Sequence, residues 1–428
     1  MTPSQDASSP TATWRNVTCP FCGLLCDDLS VAHQDGRLRV LEGGCGRAEA
    51  GFGHPCEPAT PLVDGQAAEL DAAVQRAAAI LRAARLPLYG GMGADVAGVR
   101  TVLELADRTG GVVDHMHGDG MIRNILAIQD AGWMVTTLTE LANRADLLVF
   151  MGTDAVTHCP RFFERLIWHK ESMFDLDTNR RQIVYLGQSL DSGPGHAPDG
   201  RAPTVLACDP ARLGEVAGVM RALLAERPVQ APRVGGIAVT ELQALVERMK
   251  KARYGVLLWS AGDLKLPHGE LTVQTFCELV KDLNRLTRFS GLPLGGEDGA
   301  TTFSQVCTWQ TGFPLRVSFG SGHPVFDPWR FSTTHLLESG SADALMWIST
   351  FAAEPEPPAA GVPVIVLGRP GMTFAQPPAV YIPVGTPGLD HAGQLFRMDS
   401  VVTLPLQKLR EAGLPSADQI IRAIQAAL

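Results

Sequence analysis

The chain has 428 residues, 45% of them apolar and only 19% charged, with a mean hydropathy of +0.07 and a formal net charge of −9. That length exceeds one ordinary core and predicts two or three domains. The acidic balance argues against phosphate-backbone binding, which draws on a surplus of Lys and Arg, and no run approaches the roughly 18 uninterrupted apolar residues of a membrane span.

Residues 1–13, MTPSQDASSPTAT, are polar and lack both a basic head and an apolar run. They read as a disordered tail rather than a signal peptide. A four-cysteine domain is expected over 14–62. Cys19, Cys22 and Cys26 fall in CPFCGLLCDD, and eighteen residues separate Cys26 from Cys45 in EGGCGR. Thiolates gathered this closely repel one another unless a cation or cluster draws them together. Four sulfurs with glycine-bearing loops suit a [4Fe–4S] cube or tetrahedral zinc; vestigial thiols are the third reading. The other five cysteines (Cys56, Cys159, Cys208, Cys277, Cys307) are scattered singly, and nine is an odd total. A secreted disulfide framework is denser and usually even, so the cytoplasm is the expected compartment and those five read as small buried hydrophobes.

Beyond the cysteines, short apolar runs alternate with helical patterns. A helix over 72–85 precedes a strand in 86–93, which ends in a glycine turn. Strands follow at 146–152 and 182–187, a helix at 210–226, then strands at 254–262, 344–350, 362–368 and 379–385. Continuous apolar strands of this kind suit parallel sheets covered on both faces. The pattern predicts two doubly wound α/β domains, 63–230 and 231–390. The Pro/Gly run at 230–238 reads as their linker and the proline-rich 351–363 as a surface loop. The C-terminal segment 391–428 is expected to place part of 390–428 on the cysteine domain. Gly-rich stretches at 188–204 and 289–304 follow regular segments, where open α/β sheets form ligand crevices.

GGMGADVAG (90–98) follows a strand and opens a helix, as a dinucleotide-binding turn does, but its G-x-G-x4-G spacing departs from that pattern. Any α/β turn can use the same glycines. His115, His117 and His158 raise a mononuclear metal site, yet no carboxylate set with suitable spacing completes it; a satisfied, partly buried pair is the simpler account. No Gly-x-Ser-x-Gly elbow or P-loop occurs.

Several runs together resemble one family. CPFCGLLCDDLSV, GRLRVLEGGCGRAEAGF, HGDGMIRNILAIQDAG, NRADLLVFMGTDAVTHCPRF, QVCTWQTGFPLRVSFGSGHPVFDP and VGTPGLDHAGQLFRMD look like the B subunit of formylmethanofuran dehydrogenase, a molybdopterin oxidoreductase, from about Cys19 to the C-terminus. The resemblance implies an α/β fold with a small N-terminal cluster-binding segment and two α/β domains clasping a bis-pterin tungsten or molybdenum cofactor. The superfamily's small β-barrel domain has no counterpart here.

The same resemblance implies a cysteine metal ligand in a Cys-His-Gly sequence, where this chain reads Met116-His117-Gly118. It implies an arginine near the active centre, where this chain reads Pro293-Leu294-Gly295-Gly296, and an aspartate facing guanosine, where it reads Gly187. A neutral thioether is a far weaker donor to these metals than a thiolate. The expected result is a degenerate site around Met116, His117, Gly295 and Glu297. A vestigial pterin cleft would lie along Gly91, Gly93, Gly152 and Gly187, filled by side chains or water.

Within the family, this pattern resembles the B subunits of the formyltransferase/hydrolase complexes of methylotrophic bacteria. That resemblance implies a non-redox structural subunit and no functional molybdopterin or tungstopterin. It implies as partners an amidohydrolase-like A subunit, a C subunit and formyltransferase D. The alternative is an active tungsten or molybdenum formylmethanofuran dehydrogenase subunit. A stand-alone NAD-dependent enzyme rests only on glycines.

Overall fold

A computed structural model describes residues 12–34, 37–55, 59–174, 176–352, 354 and 356–428. The tail expected over 1–13 thus lies almost wholly outside the described residues, as does Cys56. Ala12 and Thr13 do not belong to it: they open the strand Ala12–Val17.

Every apolar run singled out in the sequence forms a strand, but pairing sorts them differently from the expected cut near residue 230. The chain divides into one unit of residues 1–116 and 296–428 and a second unit of residues 117–295. Strands at 87–93 and 344–349, far apart in sequence, pair in the first unit. Those at 147–151 and 255–260 pair in the second. Residues 230–238 are not a linker. Arg233–Val234 and Ile237–Ala238 form a tight antiparallel hairpin. Its two turn residues, Gly235 and Gly236, have φ of 58° and 88°, the left-handed conformation that two-residue hairpins require and glycine adopts without steric cost.

The second unit is a five-stranded sheet in the spatial order Thr204–Leu206, Gln182–Leu186, Leu147–Met151, Gly255–Ser260, Phe289–Leu294. All four pairings are parallel. Its central strands are buried throughout, which is why they read as unbroken apolar runs. Helices Leu213–Leu224, Val239–Lys251 and Gly269–Leu283 contribute Val216, Leu245 and Phe276 to one hydrophobic core with Val149 and Leu257. The strand Phe289–Leu294 lies inside the Gly-rich stretch 289–304, where the sequence reading places no strand. Gly291 is needed there because a Cβ would come within 2.8 Å of the Trp259 ring.

The first unit carries a nine-stranded sheet whose five central members run parallel: Val112–Val113, Pro87–Gly93, Ala344–Ser349, Val364–Gly368, Val380–Pro383. The outer strands on both edges pair antiparallel. Helix Val96–Thr109 is capped by Asp95, whose carboxylate accepts from Gly98 N–H, and it ends at Gly110 with φ 65°. The helix Ala417–Ala427 packs on this helix and on Leu70–Ala83. The C-terminal residues therefore complete the core of the first unit rather than form a separate segment.

Strands Ala12–Val17, Leu29–Gln34 and Arg37–Glu42 form an antiparallel sheet. The loop between the first two holds Cys19, Cys22 and Cys26, and Cys45 is the N-cap of helix Gly46–Gly53. Met398 N–H donates to the Gly23 carbonyl, while Leu25 packs with Phe351, Leu395 and Leu406. No helix among the described residues is long and apolar enough to cross a membrane.

Candidate functional site

The parallel strands of each sheet change order once, between Pro87–Gly93 and Ala344–Ser349 in the first unit and between Leu147–Met151 and Gly255–Ser260 in the second. Carboxyl ends of strands at such points are where open α/β sheets bind ligands. Gly91 and Gly93 sit at the first switch point and Gly152 at the second; Gly187 follows the neighbouring strand Gln182–Leu186.

None of these glycines faces an open cradle. A Cβ on Gly91 would come within 2.5 Å of the Ile348 carbonyl oxygen. The Gly93 carbonyl accepts from both the backbone N–H and the hydroxyl of Thr350, at 2.9 and 2.8 Å. Across Gly93 lies Met116, whose methyl is 3.3 Å from where a Cβ would stand. In the second unit, Leu213 Cδ1 would be 2.6 Å from a Cβ on Gly152, and Leu190 Cδ1 2.7 Å from one on Gly187. Aliphatic side chains of the chain itself thus lie against the backbone where a nucleotide would have to approach.

The dinucleotide reading of residues 90–98 meets a second obstacle. The anion seat at the N-terminus of helix Val96–Thr109 is taken by the Asp95 carboxylate, and a phosphate would have to displace a like charge. Burial raises the Asp95 pKa, so the carboxylate is held there against a desolvation cost. Replacing Asp95 by alanine is expected to cost about 1 kcal/mol through the lost cap, read as a lowered urea midpoint.

Met116 packs against the core formed by Leu88, Val112, Trp347 and their neighbours, and its backbone N–H donates to the Gly91 carbonyl. His117 is exposed and is the N-cap of helix Gly118–Ala131. The division between the units falls between Met116 and His117 and again between Gly295 and Gly296. Met116 and Glu297 therefore belong to one unit, and His117 and Gly295 to the other. Glu297 opens a short turn of 3-10 helix, Glu297–Gly299, and among the described residues none beyond its chain neighbours comes within 4 Å of the place a Gly295 Cβ would take. Met116 places a neutral thioether, not an anionic sulfur, where the resemblance implies the protein ligand of a bis-pterin metal.

His115 and His158 are not partners in a metal site. His115 is buried, its ring 3.2 Å through Nε2 from the Asp298 carbonyl and packed against Phe303. His158 pairs with Asp263 at 2.8 Å. The two lie in different units.

Three of the four N-terminal cysteines are buried; Cys45 is half-buried. The loop is closed by Cys19 N–H donating to the Cys26 carbonyl and Leu25 N–H to that of Cys22. Burial, then the charges of Cys22, Cys26 and Cys45, push the Cys19 thiol well above the usual range, while a hydrogen bond from Phe21 N–H favours its thiolate. The Cys19 thiol therefore resists ionisation unless positive charge is supplied nearby. Among the described residues no three His, Cys, Asp or Glu side chains are drawn together tightly enough for a single metal ion. The donor chemistry of four cysteines is that of a [4Fe–4S] cube or of tetrahedral zinc.

Two buried ionic arrangements had no counterpart in the motifs. Asp114 and Arg316 face each other at 3.4 Å, both buried. Arg410 donates to Asp390 at 2.6 Å, and beside it Arg369 is buried with no carboxylate within ion-pair distance among the described residues. Asp114, Arg316 and Arg369 each sit immediately before or after a strand as a single charged letter, without spacing that sets it apart.

No protein-family model matches the chain. It is 28% identical over 402 residues to the B subunit of the tungsten-containing formylmethanofuran dehydrogenase 2 of Methanocaldococcus jannaschii, covering 90% of this chain and 92% of the relative. It is 29% identical over 346 residues to the B subunit of the formyltransferase/hydrolase complex Fhc of Methylorubrum extorquens, covering 78% and 87%. The crystal structure of that organism's formyltransferase/hydrolase complex with methylofuran contains a chain matching at TM-score 0.72 and 27% identity, over 86% of this chain and 98% of that one. Acetylene hydratase of Pelobacter acetylenicus shares the fold at TM-score 0.64 and 9% identity, over 97% of this chain and 69% of that one. The chain is a homologue of the B subunits of formylmethanofuran dehydrogenase and of the formyltransferase/hydrolase complex.

Proposed function

We propose that the chain is the non-redox B subunit of a formyltransferase/hydrolase complex in the cytoplasm. Such a complex moves a formyl group from formyl-tetrahydromethanopterin to a methanofuran analogue and hydrolyses it to formate. Water is consumed and no electrons are released, so the B subunit has no need of a redox metal. Hydrolysis falls to an amidohydrolase-like A subunit and formyl transfer to the D subunit; this chain, with the C subunit, holds them together. Met116, His117, Gly295 and Glu297 then carry no chemical step.

The observation that supports this most is the placement of Met116. The position at which the resemblance implies an anionic metal ligand carries a half-buried thioether packed against an apolar core and against Gly93. A heavy metal seated beside it would lack one anionic ligand, and its charge would be less compensated in a site away from water. The similarity to tungsten-containing dehydrogenase subunits favours the redox alternative, which the Met116 packing opposes. Cys19, Cys22, Cys26 and Cys45 would hold a [4Fe–4S] cluster, which when bound supplies an electron-storing or a purely structural centre.

Elemental analysis of the purified complex for Mo, W, Fe and Zn tests the reading. Tungsten and molybdenum are expected well below one per chain, and a stoichiometric amount of either would return the chain to the redox class. Met116→Cys is expected to leave formate release unchanged, since the position takes no part in the chemistry. A loss of tenfold or more would contradict that.

A further inference from the structure

We infer that Arg369 is a positioning residue for the four-cysteine site, a buried fork that locks the loop carrying Cys19, Cys22 and Cys26 onto the helix that begins at Cys45. This rests on those cysteines acting as one site. Arg369 follows the parallel strand Val364–Gly368, at its carboxyl end. The residue is 3% exposed, and one arm of its guanidinium donates to the Phe351 carbonyl at 2.9 Å. The other donates to the Gly51 carbonyl at 2.6 Å, within the helix Gly46–Gly53 that Cys45 caps.

The guanidinium also lies 5.7 Å from the centre of the Phe21 ring, within cation–π range. Phe21 sits between Cys19 and Cys22 in the cysteine loop. The ring reaches the same helix. It meets Phe52 edge-on at 5.3 Å between centroids, and it lies so close to Gly51 that a Cβ there would be 2.4 Å from a ring carbon. Arg369, Phe21 and Gly51 therefore form a closed three-way contact, with one cysteine-bearing segment on each side.

A packing role alone does not account for the choice of residue. Burial pulls the Arg369 pKa down to about 10, and its Nε is buried with no hydrogen-bond partner among the described residues. The neighbouring Arg410 already takes the nearby carboxylate, Asp390. An aliphatic side chain would fill the space without those costs, but it could not bridge two carbonyls and an aromatic face. A lysine would keep the charge and lose the planar fork.

The test is residue-resolved alkylation of the native, full-length protein with iodoacetamide, read by mass spectrometry, for Arg369→Met, Arg369→Lys and Gly51→Ala. Cys208, Cys277 and Cys307, all buried elsewhere, serve as internal references. All three variants are expected to accelerate alkylation of Cys19, Cys22 and Cys26 at least tenfold while the references stay protected. Unchanged rates overturn the assignment, as does equal acceleration of every cysteine, which would mean general unfolding. Wild-type behaviour of Arg369→Lys overturns the fork and leaves only charge. Iron and zinc are measured on the same samples. A wild-type protein without either metal retires the cluster reading, and the ratio of alkylation rates still decides the role of Arg369.

Discussion

Replacing Asp114 by asparagine is expected to destabilise the protein by about 3–5 kcal/mol, the range seen when one member of a buried ion pair is removed. Asp114 is 2% exposed and gathers four donors: His115 N–H, Arg316 Nε, and the backbone N–H and hydroxyl of Thr333. Burial pushes its carboxyl pKa up; the Arg316 charge and then the Thr333 donors pull it back. Asparagine has the same shape, but its amide group turns a donor toward one set of donors. It also takes away the carboxylate that the buried Arg316 faces. The pair ties the end of the short strand Val112–Val113 to the strand Val317–Ser318 beside it, two residues before Met116. Urea unfolding of the purified protein measures the effect. A loss below about 1 kcal/mol, the range of an exposed pair, would mean that solvent reaches Asp114.

Much of the fold was legible because its central strands are covered on both faces. Leu147–Met151, Gly255–Ser260 and Ala344–Ser349 are buried residue by residue, and an unbroken apolar run is the direct imprint of that burial. The strand Phe289–Leu294 escaped notice because Gly291 and Pro293 interrupt its run. The glycine answers to Trp259 on the adjacent strand, a contact that no local pattern records. The division into units was not legible for a related reason. Which strands pair is decided by complementary faces, and the strands at 87–93 and 344–349 that meet in one sheet are separated by the whole second unit.

The candidate site was legible in its residue types more than in its contacts. The cysteine spacing alone marks Cys19, Cys22, Cys26 and Cys45, since few other roles gather four thiols. The glycines at 91, 93, 152 and 187 were recognisable as places of close approach, but not what approaches them. Glycine is compatible with a nucleotide, a neighbouring strand or a leucine, and here each is covered by the chain itself. Arg369 left no mark, because its importance lies in three partners drawn from residues 21, 51 and 351.

The covering of those glycines has a measurable consequence at Leu213. It is fully buried in the core of the second unit and lies against the Gly152 backbone. Leu213→Ala is expected to cost about 2–5 kcal/mol, the transfer term plus a cavity that rigid strands on either side keep from collapsing. Gly152→Ala is expected to be destabilising as well. Its methyl would lie 2.6 Å from Leu213 Cδ1, and φ at this position is 71°, a conformation that alanine adopts with strain. The two losses should not add. In the double variant the alanine methyl enters the volume that Leu213 vacates, so the clash disappears and only the backbone term remains. A coupling of about 1 kcal/mol or more toward stability is the expected result, within the range for residues in contact. Additivity to within about 0.5 kcal/mol would place Leu213 away from Gly152 and would leave the second unit's switch point open to a ligand. The sign of that coupling therefore reports whether this strand end is filled by the protein's own core.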